Sequence, residues 1–479
     1  MNHDKVRDKC AVFGVSIYGD YASEIAYNAL LTMQHRGQEG AGIAVINENK
    51  IDCKKGGGFV TEAFSEKELR KMRGSIAVGH CLYSGRKKLS DDKQFLVAEP
   101  EPEPEEEKKK SAEDSQPFVT EYLTGRIAAV LNGSITNMLA LRGELMTYGL
   151  TFTGTTDGEV ISKLIAYYCM INESVLEGVK YAAKLLEGCF SLIVMSTGTE
   201  HNKLIAVRDS SGFRPLCIGV SEEGMAVASE SCVFDICGYD FERDVKPGEV
   251  VQIEDGRISY EDVVLTQKSR DTGLCVFEYV YIARADSFMD NLSVYEARVN
   301  MGRILARENK NIEADVVCGV PDSGLEAALG YSLESGIQLV PGLVRNRYIG
   351  RSFIYPTQSQ REKAVKLKFN PLKLNVENKR IILVDDSIVR GTSTGKIVRV
   401  LKNAGAREVH MLVSSPPIKY ACGFGCIDTE KEETLIANNM SLSEICEKIG
   451  ADSLSYISIA GLREACAKCA LPQCSQCFR

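Results

Sequence analysis

Asp385 and Asp386 stand side by side behind four apolar residues, Ile381, Ile382, Leu383 and Val384. Such a run reads as a strand buried on both faces, and open α/β sheets bind ligands at the carboxyl ends of their strands. Ser387 follows, and then Gly391, Thr392, Ser393 and Thr394. Ile397, Val398, Val400 and Leu401 give the next stretch helical spacing until Gly405 stops it. A hydroxyl-rich turn at a helix amino end offers N–H groups to a phosphate, and paired carboxylates suit a ribose diol or hydrated Mg2+. No Walker lysine accompanies the turn, so the phosphate sits on a sugar rather than at the end of a nucleotide. An ordinary helix cap needs one polar residue, not a run of them.

Cysteine supplies the other candidate chemistry. Cys10 precedes an apolar run and, taken alone, reads as a core residue. The tail carries two C-x-x-C pairs, Cys466 with Cys469 and Cys474 with Cys477. Their spacing permits a zinc site of four thiolates, although the gap between the pairs is short for a zinc ribbon. The 5 histidines are far apart, which argues against a histidine-based metal site or a Ser-His-Asp triad.

The elements that must position these groups fall into two halves. Short strands over 11–17, 42–46, 127–132, 191–196 and 203–207, with helices over 23–33 and 158–171, predict a layered α+β domain ending near Glu254. From Cys275 onward strands and helices alternate: 314–320, 324–335, 381–384, 395–403 and 408–414. That order predicts a doubly wound parallel sheet, α/β in class. Between them in character is Ala98 to Gln116, whose Glu-Pro-Glu-Pro-Glu-Glu-Glu-Lys-Lys-Lys core cannot bury apolar surface. A solvated, disordered insertion over about 90–116 is the expectation.

At 479 residues, 44% hydrophobic and 25% charged, the chain has the composition of a globular protein with two or more domains. A net charge of −8 and the lack of a basic stripe argue against nucleic acid as a partner. No apolar run nears the roughly 20 residues of a membrane span, and the first nine residues lack the apolar centre of an export signal. A cytoplasmic protein acting on small molecules is expected, so its 17 cysteines should not form a disulfide framework.

The strand, acid pair and Thr-rich turn resemble the phosphoribosyl-pyrophosphate (PRPP) loop of phosphoribosyltransferases. Further motifs widen the likeness: Cys10-Ala-Val-Phe-Gly-Val, Gln34-His35-Arg36-Gly37-Gln38-Glu39-Gly40, Leu131-Asn132-Gly133-Ser134, Thr156-Asp157-Gly158-Glu159 and Arg208-Asp209-Ser210-Ser211-Gly212. Ala228-Ser229-Glu230-Ser231, Val320-Pro321-Asp322-Ser323-Gly324, Asn346-Arg347-Tyr348-Ile349-Gly350-Arg351 and Ser414-Ser415-Pro416-Pro417 complete it. Together they resemble the amidophosphoribosyltransferase family, glutamine-dependent enzymes of purine synthesis, over essentially the whole chain.

The resemblance implies a propeptide, 1–9, whose removal after Lys9 leaves an amino-terminal Cys10. An N-terminal-nucleophile glutaminase of αββα layers over 10–254 and a phosphoribosyltransferase domain over 262–465 would follow, then a Cys-rich tail over 466–479. The α-amine, with an ordinary pKa near 8, would serve as base for the Cys10 thiol. Asn132 and the Gly133 N–H would hold the oxyanion, Asp157 the glutamine α-amino group, and Arg36 its surroundings. In the second domain Asp322, Ser323, Arg347, Arg351, Asp385, Asp386, Gly391, Thr392, Ser393 and Thr394 would bind PRPP. Ser323, Asp385 and Asp386 would carry Mg2+. Residues 345–351 would form a lid. Cys275, Cys422, Cys474 and Cys477 would hold a [4Fe–4S] cluster, with Cys426, Cys466 and Cys469 left over. A homo-oligomer is also implied.

Two positions depart from the family pattern. Leu82 stands where a glutamine-gripping arginine belongs, a loss of ~2 kcal/mol in binding unless Arg86 or Lys87 replaces it. Leu131 stands where a histidine usually precedes Asn-Gly. They leave room for an ammonia-dependent enzyme with a vestigial glutaminase, or for a PRPP-binding regulator.

Overall fold

The computed structural model describes residues 10–83, 104–198, 201–266, 273–346, 369–426 and 432–479. The first half contains β1 (Ala11–Ile17), β2 (Gly40–Asn47), β3 (Lys50–Gly57), β4 (Ile76–Leu82), β5 (Phe118–Tyr122), β6 (Gly125–Ile135) and β7 (Gly188–Gly198). It continues through β8 (Lys203–Arg208), β9 (Cys217–Ser221), β10 (Gly224–Ala228), β11 (Asp240–Asp244), β12 (Glu249–Glu254) and β13 (Arg257–Val263). One antiparallel sheet runs β11-β9-β10-β1-β4-β2-β3, the other β13-β12-β8-β7-β6-β5.

Period-2 alternation decides which side chain faces which layer. On β1, Val12 enters the core between the sheets with Val78, Val130 and Ile193, while Phe13 and Val15 face α1 (Ala22–Thr32). The second sheet packs its outer face on α3 (Met138–Thr147), α4 (Asp157–Asn172) and α5 (Val175–Leu185), through Leu141, Ile161, Leu164 and Val179. Both faces of each sheet are covered, which is the αββα order expected. The β12–β13 hairpin carries the sandwich to Val263, past the expected boundary at Glu254.

The insertion needs correction. A helix, α2 (Pro104–Asp114), occupies part of the segment expected to be disordered, and Ser115 and Gln116 behind it are buried. Three glutamates followed by three lysines place opposite charges three residues apart, a helix-favouring spacing. The Gln116 side chain then bonds both the N–H and the C=O of Leu131, at 2.6 and 3.3 Å. Tertiary contacts offset what composition alone would lose. The part of the insertion before residue 104 lies outside the described residues.

The second half is a parallel sheet of β15 (Val316–Gly319), β16 (Arg380–Asp385), β17 (Glu408–Val413) and β18 (Ser453–Tyr456), in that order. Before it come β14 (Leu274–Cys275), a π-helical turn at Glu278–Ile282 and α6 (Val294–Glu308); α7 (Leu325–Ser335) and α8 (Thr392–Asn403) are among its crossovers. Val317, Ile382, Val384 and Leu412 face α6 and α7, whereas Ile381, Leu383, Val409 and Met411 face α8. Burial on both faces explains the unbroken apolar run before Asp385. The tail is no appendage: β19 (Gln473–Cys474) pairs with β14 in parallel and sets Cys474 opposite Cys275. Among the described residues no helix is long and apolar enough to cross a membrane.

Candidate functional site

Cys10 is the residue before β1, 8% exposed. Its Sγ accepts from the Tyr83 N–H at 3.4 Å and faces the Tyr83 carbonyl at 3.7 Å. Tyr83 follows β4, which pairs with β1, so strand register places those groups at the thiol. The Val12 N–H donates to Ser229 Oγ at 3.0 Å, and Asn132 Nδ2 donates to the same oxygen at 3.4 Å. Ser229 thus orients the amide, a use that its place in the Ala228–Ser231 motif does not reveal.

Gly133 continues β6 with φ 147°, and a Cβ there would lie 2.0 Å from the Cys189 carbonyl oxygen. Only glycine lets the backbone turn beside Asn132 so close to β7. Asp157 opens α4 and accepts from the Ile135 N–H at 2.9 Å. Cys10 thus lies just before β1, Asn132 and Gly133 toward the end of β6, and Asp157 at the start of α4.

Arg36 is placed differently from the expectation. It is fully buried and makes no approach to solvent. Its Nη1 and Nη2 reach the two Glu278 oxygens at 3.0 and 2.9 Å, and Nη1 reaches Glu230 at 2.6 Å. Its Nε donates to the Cys10 carbonyl at 3.3 Å. The guanidinium is occupied by protein groups, so contact with glutamine is replaced by contact with the backbone of Cys10. Burial opposes the charge, but the two carboxylates outweigh it and raise the Arg36 pKa; the charges of His35 and Arg36 hold Glu230 low against its burial. Leu82 is buried at the end of β4, and His80 on the same strand is pushed down to about 3 by burial.

In the second half Asp385 ends β16 and is 1% exposed; Asp386 and Ser387 are as deeply buried. Asp385 Oδ1 accepts the Asp386 N–H at 2.9 Å, and Ser387 Oγ donates to Asp386 at 2.5 Å. Gly391 is the residue before α8, and Thr392, Ser393 and Thr394 are its first turn, where backbone N–H groups lack helical partners. The chain passes Val320 to Gly324 between β15 and α7. A Cβ at Gly324 would stand 2.3 Å from the Val384 carbonyl oxygen, so glycine brings this loop against the strand of the acid pair. Asp322 accepts from Arg345 at 2.6 Å. Of the segment expected to form a lid, Arg345 and Asn346 are described, whereas 347–351, with Arg347 and Arg351, lie outside the described residues.

Cys275, Cys422, Cys474 and Cys477 are drawn together. Besides the Cys275–Cys474 register, the N–H groups of Lys419 and Tyr420 donate to the Cys477 carbonyl at 2.9 and 3.1 Å. Burial first, then the neighbouring Cys275 and Cys422 thiols, push Cys474 up to about 12 and raise Cys477 further. Cys426 adjoins them, its N–H 3.3 Å from Cys422 Sγ. Cys466 and Cys469 sit apart, beside Tyr279. Among the described residues no trio of His, Cys, Asp or Glu meets metal-binding geometry.

Residues 106–235 match the model of a glutamine amidotransferase domain and residues 295–417 that of a phosphoribosyl transferase domain. The amidophosphoribosyltransferase of Archaeoglobus fulgidus is 42% identical over 461 residues, spanning 95% of this chain and 93% of its own. The chain belongs to the amidophosphoribosyltransferase family. The Bacillus subtilis amidophosphoribosyltransferase is 38% identical over 479 residues, 99% of this chain and 93% of that one. A solved structure of the B. subtilis glutamine PRPP amidotransferase, complexed with ADP and GMP, superposes with a TM-score of 0.84 at 37% identity. That match covers 98% of this chain and 96% of the other. As an amidophosphoribosyltransferase the chain converts glutamine, PRPP and water to phosphoribosylamine, glutamate and pyrophosphate in purine synthesis, moving ammonia from glutamine to C1 of PRPP. Nothing in these likenesses favours the ammonia-only or regulatory alternatives.

Proposed function

We propose that this reaction is divided between two residue sets in one chain. In the first, a free α-amine on Cys10 takes the thiol proton, and the thiolate attacks the glutamine carboxamide. The Tyr83 N–H favours the thiolate by donating to it; Asn132 Nδ2 and the Gly133 N–H stabilise the tetrahedral oxyanion as ammonia leaves with the proton the α-amine had taken, and water then cleaves the γ-glutamyl thioester on Cys10 to release glutamate and restore the thiol. Asp157 pairs with the glutamine α-amino group.

In the second, Asp385 and Asp386 hold the ribose hydroxyls, and residues Gly391 to Thr394 hold the 5-phosphate on the helix amino end. Asp322 and Ser323 would face the pyrophosphate, and Arg347 and Arg351 would supply positive charge to PRPP. Ammonia forms the new bond to C1 as the C1–O bond to pyrophosphate breaks. The hydroxyl and carboxylate oxygens of Ser323, Asp385 and Asp386 fit Mg2+, which takes hard oxygen ligands and would neutralise the leaving group.

Buried Cys275 and half-buried Cys422, Cys474 and Cys477, from three neighbouring segments, supply the four thiols an iron–sulfur cluster would need. Its role would be to tie the tail to β14, since the reaction moves no electrons. We place the protein in the cytoplasm as a homo-oligomer.

The observation that carries the reading is the pairing, in one chain, of Cys10 under a peptide N–H with an acid pair ahead of a hydroxyl-lined helix start. Pyrophosphate release should occur with glutamine and also with ammonium. Mass spectrometry should find Cys10 at the mature amino terminus; Met1 to Lys9 retained on active enzyme would overturn the α-amine's role.

A further inference from the structure

Four charged side chains meet where the two halves touch, all with no exposure: Arg36, Glu230, Arg214 and Glu278. Glu278 accepts from Arg36 on both oxygens and from Arg214 Nη1 at 2.8 Å, while Arg214 Nη2 reaches the Cys426 carbonyl. Glu230 accepts on its other oxygen from the Arg284 N–H at 2.9 Å and from Ser287 Oγ at 2.7 Å. Two cations balance two carboxylates, with His35 at the margin, 2.7 Å from Glu230.

An apolar cluster of equal volume would hold two domains together at least as well, so stability alone is a poor reason for this arrangement. Its direction is more telling. The ion pairs end on the main chain of Cys10, through Arg36 Nε, and leave every other polar atom of Arg36 engaged with a carboxylate. Glu278 begins a π-helical turn, three residues after Cys275. That turn is itself clamped, because buried Arg298 on α6 donates to the Tyr279 and Ala283 carbonyls at 2.8 and 2.7 Å. A bidentate carboxylate on a clamped turn fixes the plane of the guanidinium, and so the point at which Nε meets Cys10.

We propose that Glu278, from the phosphoribosyltransferase half, is a positioning residue of the glutaminase: it aims Arg36 at the Cys10 carbonyl and so sets the thiol against its oxyanion donors. The inference rests on the glutaminase role of Cys10, and misplacing a nucleophile by a fraction of an ångström is costly in rate.

The test uses the full-length enzyme and the ratio of glutamine-dependent to ammonium-dependent pyrophosphate release. Glu278→Gln breaks the clamp and should lower that ratio about tenfold or more, mainly through kcat, and slow alkylation of Cys10 by iodoacetamide. Glu278→Asp should recover part of it. Arg36→Lys keeps the charge but loses Nε, should lower the ratio similarly, and decides the matter if Glu278→Gln does not fold. Combining the two should add little, as expected of residues acting as one unit. An unchanged ratio, an equal fall in both activities, or independent multiplication of the two effects would overturn the proposal. Wild-type enzyme inactive with glutamine would instead overturn the glutaminase reading beneath it.

Discussion

Arg208 and Asp290 grip each other in parallel, Nη1 to Oδ1 at 2.9 Å and Nη2 to Oδ2 at 2.7 Å, joining the end of β8 to a hairpin of the second half. Neither side chain is more than 5% exposed. Asp290→Asn leaves a buried guanidinium without its counter-charge and should lower unfolding free energy by about 3–5 kcal/mol. Denaturant titration checks this; replacing both residues with apolar ones of similar volume should cost much less.

Gly133→Ala should disable the glutaminase. Its Cβ would meet the Cys189 carbonyl oxygen 2.0 Å away, and φ 147° is unfavourable for alanine. Glutamine-dependent turnover should fall about 100-fold as the oxyanion N–H moves, against a much smaller change with ammonium. Equal loss of both activities would show that the shift is not confined to this site.

His80 should make stability fall in acid. Burial lowers its pKa from 6.5 to about 3, so between those values the unfolded chain binds a proton that the folded chain refuses. Stability attributable to His80 is therefore whole above pH 6.5 and declines as pH drops, by up to ~1.4 kcal/mol per unit. Comparing the pH slope of unfolding free energy for wild type and His80→Gln isolates the effect; a shallower slope in the variant is expected.

The cysteine assignment separates two neighbouring sets of thiols. Cys474→Ser and Cys477→Ser should lose iron, the visible absorption of the anaerobically purified protein, and thermal stability. Cys466→Ser and Cys469→Ser, beside Tyr279, should keep both iron and spectrum.

What could be read beforehand was what repeats locally. The apolar run into Asp385 and the 3.6-residue spacing after Thr394 located β16 and α8, because a buried parallel strand and its helix leave periodic marks in sequence. Arg36 was legible as a candidate but not in its use. Its partners Glu230 and Glu278 lie 194 and 242 residues away, and no spacing rule relates residues so distant. Ser229 was legible as part of a motif, but its use was hidden for the same reason. The acidic insertion misled through composition, since Ser115 and Gln116 lie close against Gly40 and Gly42 and Gln116 bonds to Leu131, contacts that an isolated reading of the segment leaves out.

The central claim, two reactions on two residue sets in one chain, is tested by comparing Cys10→Ala with Asp386→Asn in pyrophosphate release from PRPP. Cys10→Ala should lose activity with glutamine and keep it with ammonium, while Asp386→Asn should lose both. Glutamine-dependent release surviving in Cys10→Ala, or release from either nitrogen source at wild-type rate in Asp386→Asn, would contradict it.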